Sequence, residues 1–383
     1  MSVTAAQGFR AAGVAAGIKT GGGLDVALVV NDGPSTAAAG VFTSNRVKAA
    51  PVLWSERVLA TGQLTAVVLN AGGANACTGP AGFADAHHTA EAVAAALAIG
   101  ALDVAVCSTG LIGQRLPMPA LLDGVAKAVA ALSPAGGDQA ADAIRTTDLV
   151  PKTAVQTGPG WVVGGMAKGA GMLAPGLATM LCVITTDAAV DAAVLDAALR
   201  SATATTFDRI DSDGCMSTND TVLLLASGAS GVTPPTADFT AAVHAVCADL
   251  GRQLLADAEG STKDITVEVV EARSEPDAVE VARSVARSNL LKCALYGEDA
   301  NWGRVLAAVG TTAAAFDPDA VDVAINDIEV CRAGAAGEPR ELVDLSGRAI
   351  RVVINLHSGD RTATVWTNDL TPGYVHENSA YSS

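Results

Sequence analysis

The sequence predicts an α/β fold of layered mixed sheets with covering helices, and three observations predict it. Short apolar runs of strand length recur along the chain, and helical patterns rich in Ala, Val and Leu lie between some of them. The two kinds of segment do not alternate strictly, which favours layered sheets under helices over a doubly wound parallel array. At 383 residues the chain also exceeds the length at which one hydrophobic core usually stops growing, so two or more lobes are expected.

Taken in order, apolar runs predict strands over 25–30, 65–70, 103–107, 161–163, 181–186, 221–226 and 265–270. Further strands are predicted over 321–325, 328–331, 350–354 and 363–366. Helical spacing predicts helices over 84–99, 117–132, 137–145, 189–203, 237–258 and 277–288. The first of these carries Ala and Leu at close helical spacing and stops before Gly100, as a helix end should. Pro134-Ala-Gly-Gly137 and Thr233-Pro-Pro-Thr236 read as loops, and neither is long enough for a flexible linker.

Half of the residues are apolar but only 3% are aromatic, so the core is expected from Ala, Val, Leu and Ile. With 24 basic against 40 acidic residues the net charge is −16, which disfavours nucleic acid and anionic membranes as partners. No apolar run approaches the ~20 residues that span a bilayer, and the N-terminus lacks the pattern of a secretory signal. The expectation is a soluble, cytoplasmic protein. Seven scattered cysteines without Cys-x-x-Cys are expected to be buried free thiols rather than disulfide or zinc sites. His87 and His88 point about 100° apart on a helix, and His244, His357 and His376 have no spaced partners. No metal is expected.

The run Lys168-Gly-Ala-Gly-Met-Leu-Ala-Pro-Gly-Leu-Ala178-Thr179-Met-Leu-Cys-Val-Ile-Thr-Thr-Asp187 is the most informative in the chain. A glycine-rich, proline-broken loop feeds directly into a buried strand, with a threonine at the junction. Cleavage at Ala178–Thr179 frees the Thr179 amine, so one residue carries both a hydroxyl nucleophile and its own base. The β-branched side chain restricts χ1 and pre-aims the hydroxyl. Gly169-Ala-Gly171-Met-Leu-Ala174 also fits a dinucleotide fingerprint, but Pro175-Gly176 and a strand follow where that reading needs a helix.

The same run resembles the self-cleavage segment of the ornithine acetyltransferase (glutamate N-acetyltransferase) family of the cyclic arginine pathway. The resemblance continues in order through Gly8-Phe9 and 11–19, Asn70-Ala-Gly-Gly-Ala-Asn-Ala-Cys-Thr-Gly79 and Ser108-Thr-Gly-Leu-Ile-Gly113. It then takes in Thr146-Thr-Asp148, Ser217-Thr-Asn-Asp220, Asp257-Ala-Glu-Gly260, Asn301-Trp-Gly-Arg304 and Glu377-Asn-Ser-Ala-Tyr-Ser-Ser383. Ala300 stands where the family usually has proline, a change expected to adjust a loop and leave the chemistry alone.

The resemblance implies a self-processing enzyme without a cofactor, in which both cleaved pieces contribute strands to the fold. Residues 1–178 would form one chain and 179–383 the other, the halves assembling as an α2β2 heterotetramer. Thr179 would take the acetyl group of N2-acetylornithine and pass it to glutamate in a ping-pong cycle; acetyl-CoA is a further donor in some members. Thr109 and Gly110 would supply the oxyanion hole, and Thr146, Lys168, Thr179, Glu259, Asn378 and Ser383 would contact substrate. The alternative chemistry for the same nucleophile is an N-terminal-threonine amidase or aminopeptidase with water as acceptor.

Overall fold

A computed structural model describes residues 2–174 and 180–380. Ala178, Thr179, Tyr381 and Ser383, all singled out above, lie outside the described residues.

The N-terminal sheet has the order β1-β2-β4-β5, with β1 Phe9–Val14, β2 Val26–Asn31, β4 Ala66–Gly73 and β5 Val104–Leu111. A second sheet has the order β3-β9-β8-β7-β6, with β3 Ala38–Phe42, β6 Lys152–Gly158, β7 Trp161–Lys168, β8 Leu181–Thr186 and β9 Thr221–Ala226. Alternate residues of the second sheet face opposite ways, as strand geometry requires. Met166, Leu181, Val183, Leu223 and Leu225 join the core of the first sheet, whereas Ala167, Cys182, Ile184, Val222 and Leu224 pack with helices Ala192–Thr205 and Thr236–Ala256. Helices Ala50–Leu59, Gly79–Leu97 and Met118–Ala130 cover the first sheet. The result is helices, two face-packed sheets, and helices again.

A third sheet, in the order β13-β12-β11-β14-β10-β15, carries its own core. It comprises β10 Asp264–Ala272, β11 Asp322–Ile325, β12 Ile328–Arg332, β13 Ala335–Ala336, β14 Ala349–Asn355 and β15 Arg361–Asn368. Helices Glu275–Ala286, Asn289–Tyr296 and Trp302–Val309 belong to it. The Asn301 side chain caps the last of these by accepting the Arg304 N–H, so the Asn-Trp-Gly-Arg motif acts locally in helix building. Ala300 beside it is buried.

The mixed-sheet class read from the sequence is the observed one: β4 and β5, β8 and β9, and β10 and β14 pair parallel, and the other strand pairs antiparallel. Helices Ala50–Leu59, Asn289–Tyr296, Trp302–Val309 and Pro372–Ala380 were not anticipated, and neither were strands β1, β3, β6 and β13. Their Ala-, Gly- and Thr-rich runs carry little apolar period, and pairing with neighbours makes them strands. The cysteine expectation needs correction. Cys107, Cys182, Cys247 and Cys331 are buried, but Cys77, Cys215 and Cys293 are exposed, because they fall in turns or on the outer face of a short helix.

Candidate active site

Strand β8 begins at Leu181 with Lys168 of β7 antiparallel on one side and Thr221 of β9 parallel on the other. All six of its residues are buried. The loop before it enters from Lys168 through Gly169–Ala174, and no helix begins in that described part. This removes the dinucleotide reading, which needs a helix N-terminus there.

Lys168 is 2% exposed. Its Nζ donates to the Thr146 hydroxyl oxygen at 2.7 Å and the Thr109 hydroxyl oxygen at 3.3 Å, and lies 3.8 Å from the Asp148 carboxylate. Because the ammonium donates to both threonine oxygens, each hydroxyl keeps its own O–H to donate elsewhere. Asp148 also accepts from Lys152 Nζ at 2.7 Å, from the Gly169 N–H at 2.6 Å and from the Thr146 N–H at 3.0 Å. Lys152, itself fully buried, reaches Asp257 at 2.5 Å as well. Burial pushes the Asp148 carboxyl up, but the two lysines and the Gly169 N–H outweigh it and hold it well below the usual carboxylate range. Burial pushes Lys168 below the ordinary lysine value against the pull of Asp148.

Thr109 and Gly110 lie near the end of β5, where the register with β4 shifts at Gly72–Gly73. Gly110 has φ +125°, and a Cβ there would sit 2.6 Å from the Gly72–Gly73 backbone, so only glycine fits. Asn219 ties this strand end to the second sheet by donating to the Ala74 and Ser108 carbonyls at 2.7 and 2.8 Å.

Glu259 follows the helix Thr236–Ala256, and its N–H donates to the Ala170 carbonyl at 2.9 Å. A Cβ on Gly171 would fall 2.5–2.7 Å from the Glu259 carboxylate, so the absence of a side chain there lets the two approach. The Asn378 amide donates to that carboxylate at 2.9 Å from the C-terminal helix Pro372–Ala380. The helix is seated by close backbone approach of Tyr374 to Gly260 (φ +61°) and by the Thr371 hydroxyl donating to the Gly260 carbonyl at 2.6 Å. Burial raises the Tyr374 phenol, which hydrogen-bonds Asp213.

One cavity of about 540 Å³ is lined by Thr109, Gly110, Thr146, Lys168, Glu259 and Asn378 together. These are all of the site residues singled out in the sequence that fall among the described residues. Lys19, the glycines 21–23, Arg145 and Asp148 line it too, and were not assigned a role. The signal for Asp148 was present: an aspartate within the quoted Thr146-Thr-Asp motif. No group of three or more His, Cys, Asp or Glu side chains is arranged to hold a metal ion among the described residues.

The arrangement offers a buried cation, hydroxyl donors and a glycine peptide grouped around the entrance to β8, with a carboxylate at the outer edge. That suits stabilising an oxyanion on one side and an ammonium group on the other.

The model of the ArgJ family matches residues 10–383. The arginine biosynthesis bifunctional protein ArgJ of Streptomyces avermitilis is 69% identical over 383 residues, covering 100% of both chains. Its namesake from Mycobacterium leprae is 61% identical over 389 aligned positions, covering 100% of this chain and 96% of its own. A crystal structure of ornithine acetyltransferase from Mycobacterium tuberculosis, complexed with ornithine, is 65% identical over 47% of this chain and 96% of that one, with a TM-score of 0.45.

Proposed function

The chain belongs to the ArgJ family, and on that footing we propose that it transfers the acetyl group of N2-acetylornithine to glutamate through an acetyl-threonine at Thr179. It is an acyltransferase of arginine biosynthesis. The observation that carries the finer reading is the gathering of Thr109, Gly110, Thr146, Lys168, Glu259 and Asn378 around one cavity at the start of β8.

The chain first cleaves itself between Ala178 and Thr179. The two pieces, residues 1–178 and 179–383, then stay associated because β7 and β8 pair from Lys168–Leu181 to Val163–Thr186. The freed α-amine has a reference pKa of about 7.7–8.0, close to the working pH at which a general base is most useful. It takes the Thr179 hydroxyl proton as Oγ attacks the acetyl carbonyl of N2-acetylornithine. The oxyanion is met by the Thr109 hydroxyl and the Gly110 N–H, with the Lys168 charge behind them. The Glu259 carboxylate pairs with the ornithine ammonium, and ornithine leaves. Glutamate then takes the acetyl group. Acetyl-CoA as a second donor and assembly of the halves as an α2β2 heterotetramer complete the reading.

Intact mass analysis tests it. The protein as purified should contain pieces of residues 1–178 and 179–383, and T179A should remain one chain. Incubation with N2-acetylornithine should add one acetyl group to the 179–383 piece, discharged by glutamate. An unacetylated piece, or acetate release at the same rate without glutamate, would replace the transferase by a hydrolase.

A further inference from the structure

The two substrates of the proposed cycle carry opposite charges on their side chains, an ammonium on ornithine and a carboxylate on glutamate. Glu259 suits the first and repels the second, because two carboxylates in one place cannot both ionise without cost. A glutamate side chain in this cavity therefore needs a cation that is not already neutralised. Among the described residues three cationic side chains line the cavity: Lys19, Arg145 and Lys168. Lys168 spends its donors on Thr109, Thr146 and Asp148. Arg145 donates to the Asp142 carboxylate through Nε at 2.8 Å, and to the Asp148 and Leu149 carbonyls through Nη1 at 3.0 and 2.9 Å.

Lys19 is different. Its Nζ donates to the Leu24 carbonyl at 2.6 Å and reaches the Ala143 carbonyl only at 3.5 Å, and it forms no ion pair among the described residues. The lack is not for want of carboxylates, since the chain carries 40 acidic against 24 basic residues. The nearest of them, Asp25, is buried and committed to the backbone of the connection from β1 to β2. Its carboxylate accepts the N–H groups of Ala16 and Ile18 at 2.6 Å each and that of Lys19 itself at 3.1 Å. Burial lowers Lys19 below the ordinary lysine value, with Asp25 opposing and Arg145 adding to the shift. A carboxylate arriving from the cavity favours the charged form.

The clamp by Asp25 also fixes where Lys19 stands. A Cβ on Gly72 of β4 would fall 3.1 Å from the Lys19 nitrogen, and a Cβ on Gly110 would fall 2.6 Å from the Gly72 backbone. Lys19, Gly72 and Gly110 are therefore successive layers, and the lysine lies one strand's thickness from the glycine given to the oxyanion. Glu259 reaches the cavity from elsewhere, over Gly171. Beside Lys19 the glycines 21–23 line the cavity, and a Cβ on any of them would meet nothing within 4 Å, so the space next to the ammonium is open.

We propose that Lys19 receives the side-chain carboxylate of glutamate, so that the two substrates send their side chains to different walls of one cavity, ornithine's to Glu259 and glutamate's to Lys19; this rests on the transferase reading above. Lys19 is then a specificity residue for the acceptor half of the cycle.

The test reads the two half-reactions separately on the full protein. Loading is acetylation by N2-acetylornithine, followed by intact mass. Discharge is loss of that acetyl group to glutamate, or to glutamine, which has the same shape without the charge. K19M should lower kcat/KM for discharge by glutamate about 10–100-fold, the range for losing a hydrogen bond to a charged group. Discharge by glutamine and loading by N2-acetylornithine should fall far less, so the preference for glutamate over glutamine collapses. A K19M protein that keeps the parent's preference overturns the proposal. So does one that loses loading and discharge alike, which is the mark of a merely structural lysine. If K19M does not fold, K19R and K19Q are compared instead: a preference kept by Arg and lost by Gln supports the proposal, and equal preferences overturn it. A parent that N2-acetylornithine does not acetylate removes the transferase reading itself, whereas a parent that cycles normally beside an unchanged K19M preference removes only Lys19.

Discussion

On the β7 side of strand β8 a buried carboxyl, Asp148, meets two ammonium groups; on the β9 side an equally buried one, Asp220, is in no ion pair among the described residues. Both are aspartates with 5% and 0% of their surface exposed. Their pKa values nevertheless move in opposite directions, down at Asp148 and up at Asp220. Desolvation opposes the charged form at both sites and costs several kcal/mol per buried ion. At Asp148 that cost is offset by Lys152 at 2.7 Å, Lys168 at 3.8 Å and two backbone N–H donors. At Asp220 the Met180 N–H, the Ser217 hydroxyl and the more distant Lys168 charge do not offset it. Burial alone therefore does not fix charge; partners do. The contrast leaves an anion under Lys168 and, beside Met180, a carboxyl whose ionisation burial opposes.

The largest expected effect comes from removing the anion. D148A leaves Lys152 buried with Asp257 as its remaining ion-pair partner and Lys168 buried with no ion pair among the described residues. Breaking a buried pair by deleting one partner costs about 3–5 kcal/mol. The midpoint of urea unfolding should fall accordingly, with the slope unchanged. A D148A protein as stable as the parent would mean that the two lysines are neutral in the folded state, and the contrast between the two sides would collapse.

Acid titration sharpens the contrast with a smaller effect. A carboxyl whose folded-state pKa is depressed contributes stability above its unfolded value of about 3.9 and loses it as pH falls below that value. One whose folded-state pKa is raised contributes below about 3.9 and loses its contribution as pH rises toward the folded value. In the uncleaved T179A background, the stability lost through D148N should thus be larger at pH 7 than at pH 3.5. The stability lost through D220N should be larger at pH 3.5 than at pH 7. Each difference can change by at most about 1.4 kcal/mol per pH unit. Two differences that move the same way between these pH values would refute the assignment of charge at one of the sites.

How much of this was legible in the sequence differs between the two sides. The Lys168–Asp187 loop and strand were readable as a local pattern, whereas the roles given to Thr109, Gly110 and Glu259 came from the family resemblance. Glycine, proline and a continuous apolar run leave strong signals over a few residues. Asp148 and Asp220 were quoted within motifs but carried no role. What holds one carboxyl below the usual range and leaves the other above it lies in their partners, Lys152 and Lys168 for Asp148 and Met180 for Asp220. Lys152 lies only four residues after Asp148, but spacing along the chain cannot reveal partners as distant in sequence as Lys168 and Met180. An aspartate directly before the all-buried run Thr221–Ala226 was the one available cue, since a carboxyl leading into a core strand must find an unusual environment. Strands β1, β3 and β6 were missed for a related reason: their strand character comes from pairing across the sheet.

Glu259 supplies an intermediate case and the smallest effect. It lines the same cavity, but at the outer edge, and its described side-chain contact is a single amide from Asn378 at 2.9 Å. In the proposed cycle that carboxylate receives the ornithine ammonium, and Asn378 fixes where it points. N378A removes one exposed hydrogen bond to a charged acceptor, and exposure discounts its value, so an effect of about two- to tenfold is expected. It should appear as a raised KM for N2-acetylornithine with kcat nearly unchanged, because binding is weakened without touching the oxyanion donors. The Glu259 charge itself matters more: E259Q, which keeps the shape and accepts the same amide, should raise KM beyond N378A. If N378A instead lowers kcat and leaves KM alone, the C-terminal helix acts on the reacting carbonyl, and Glu259 is not held by Asn378 for substrate at all.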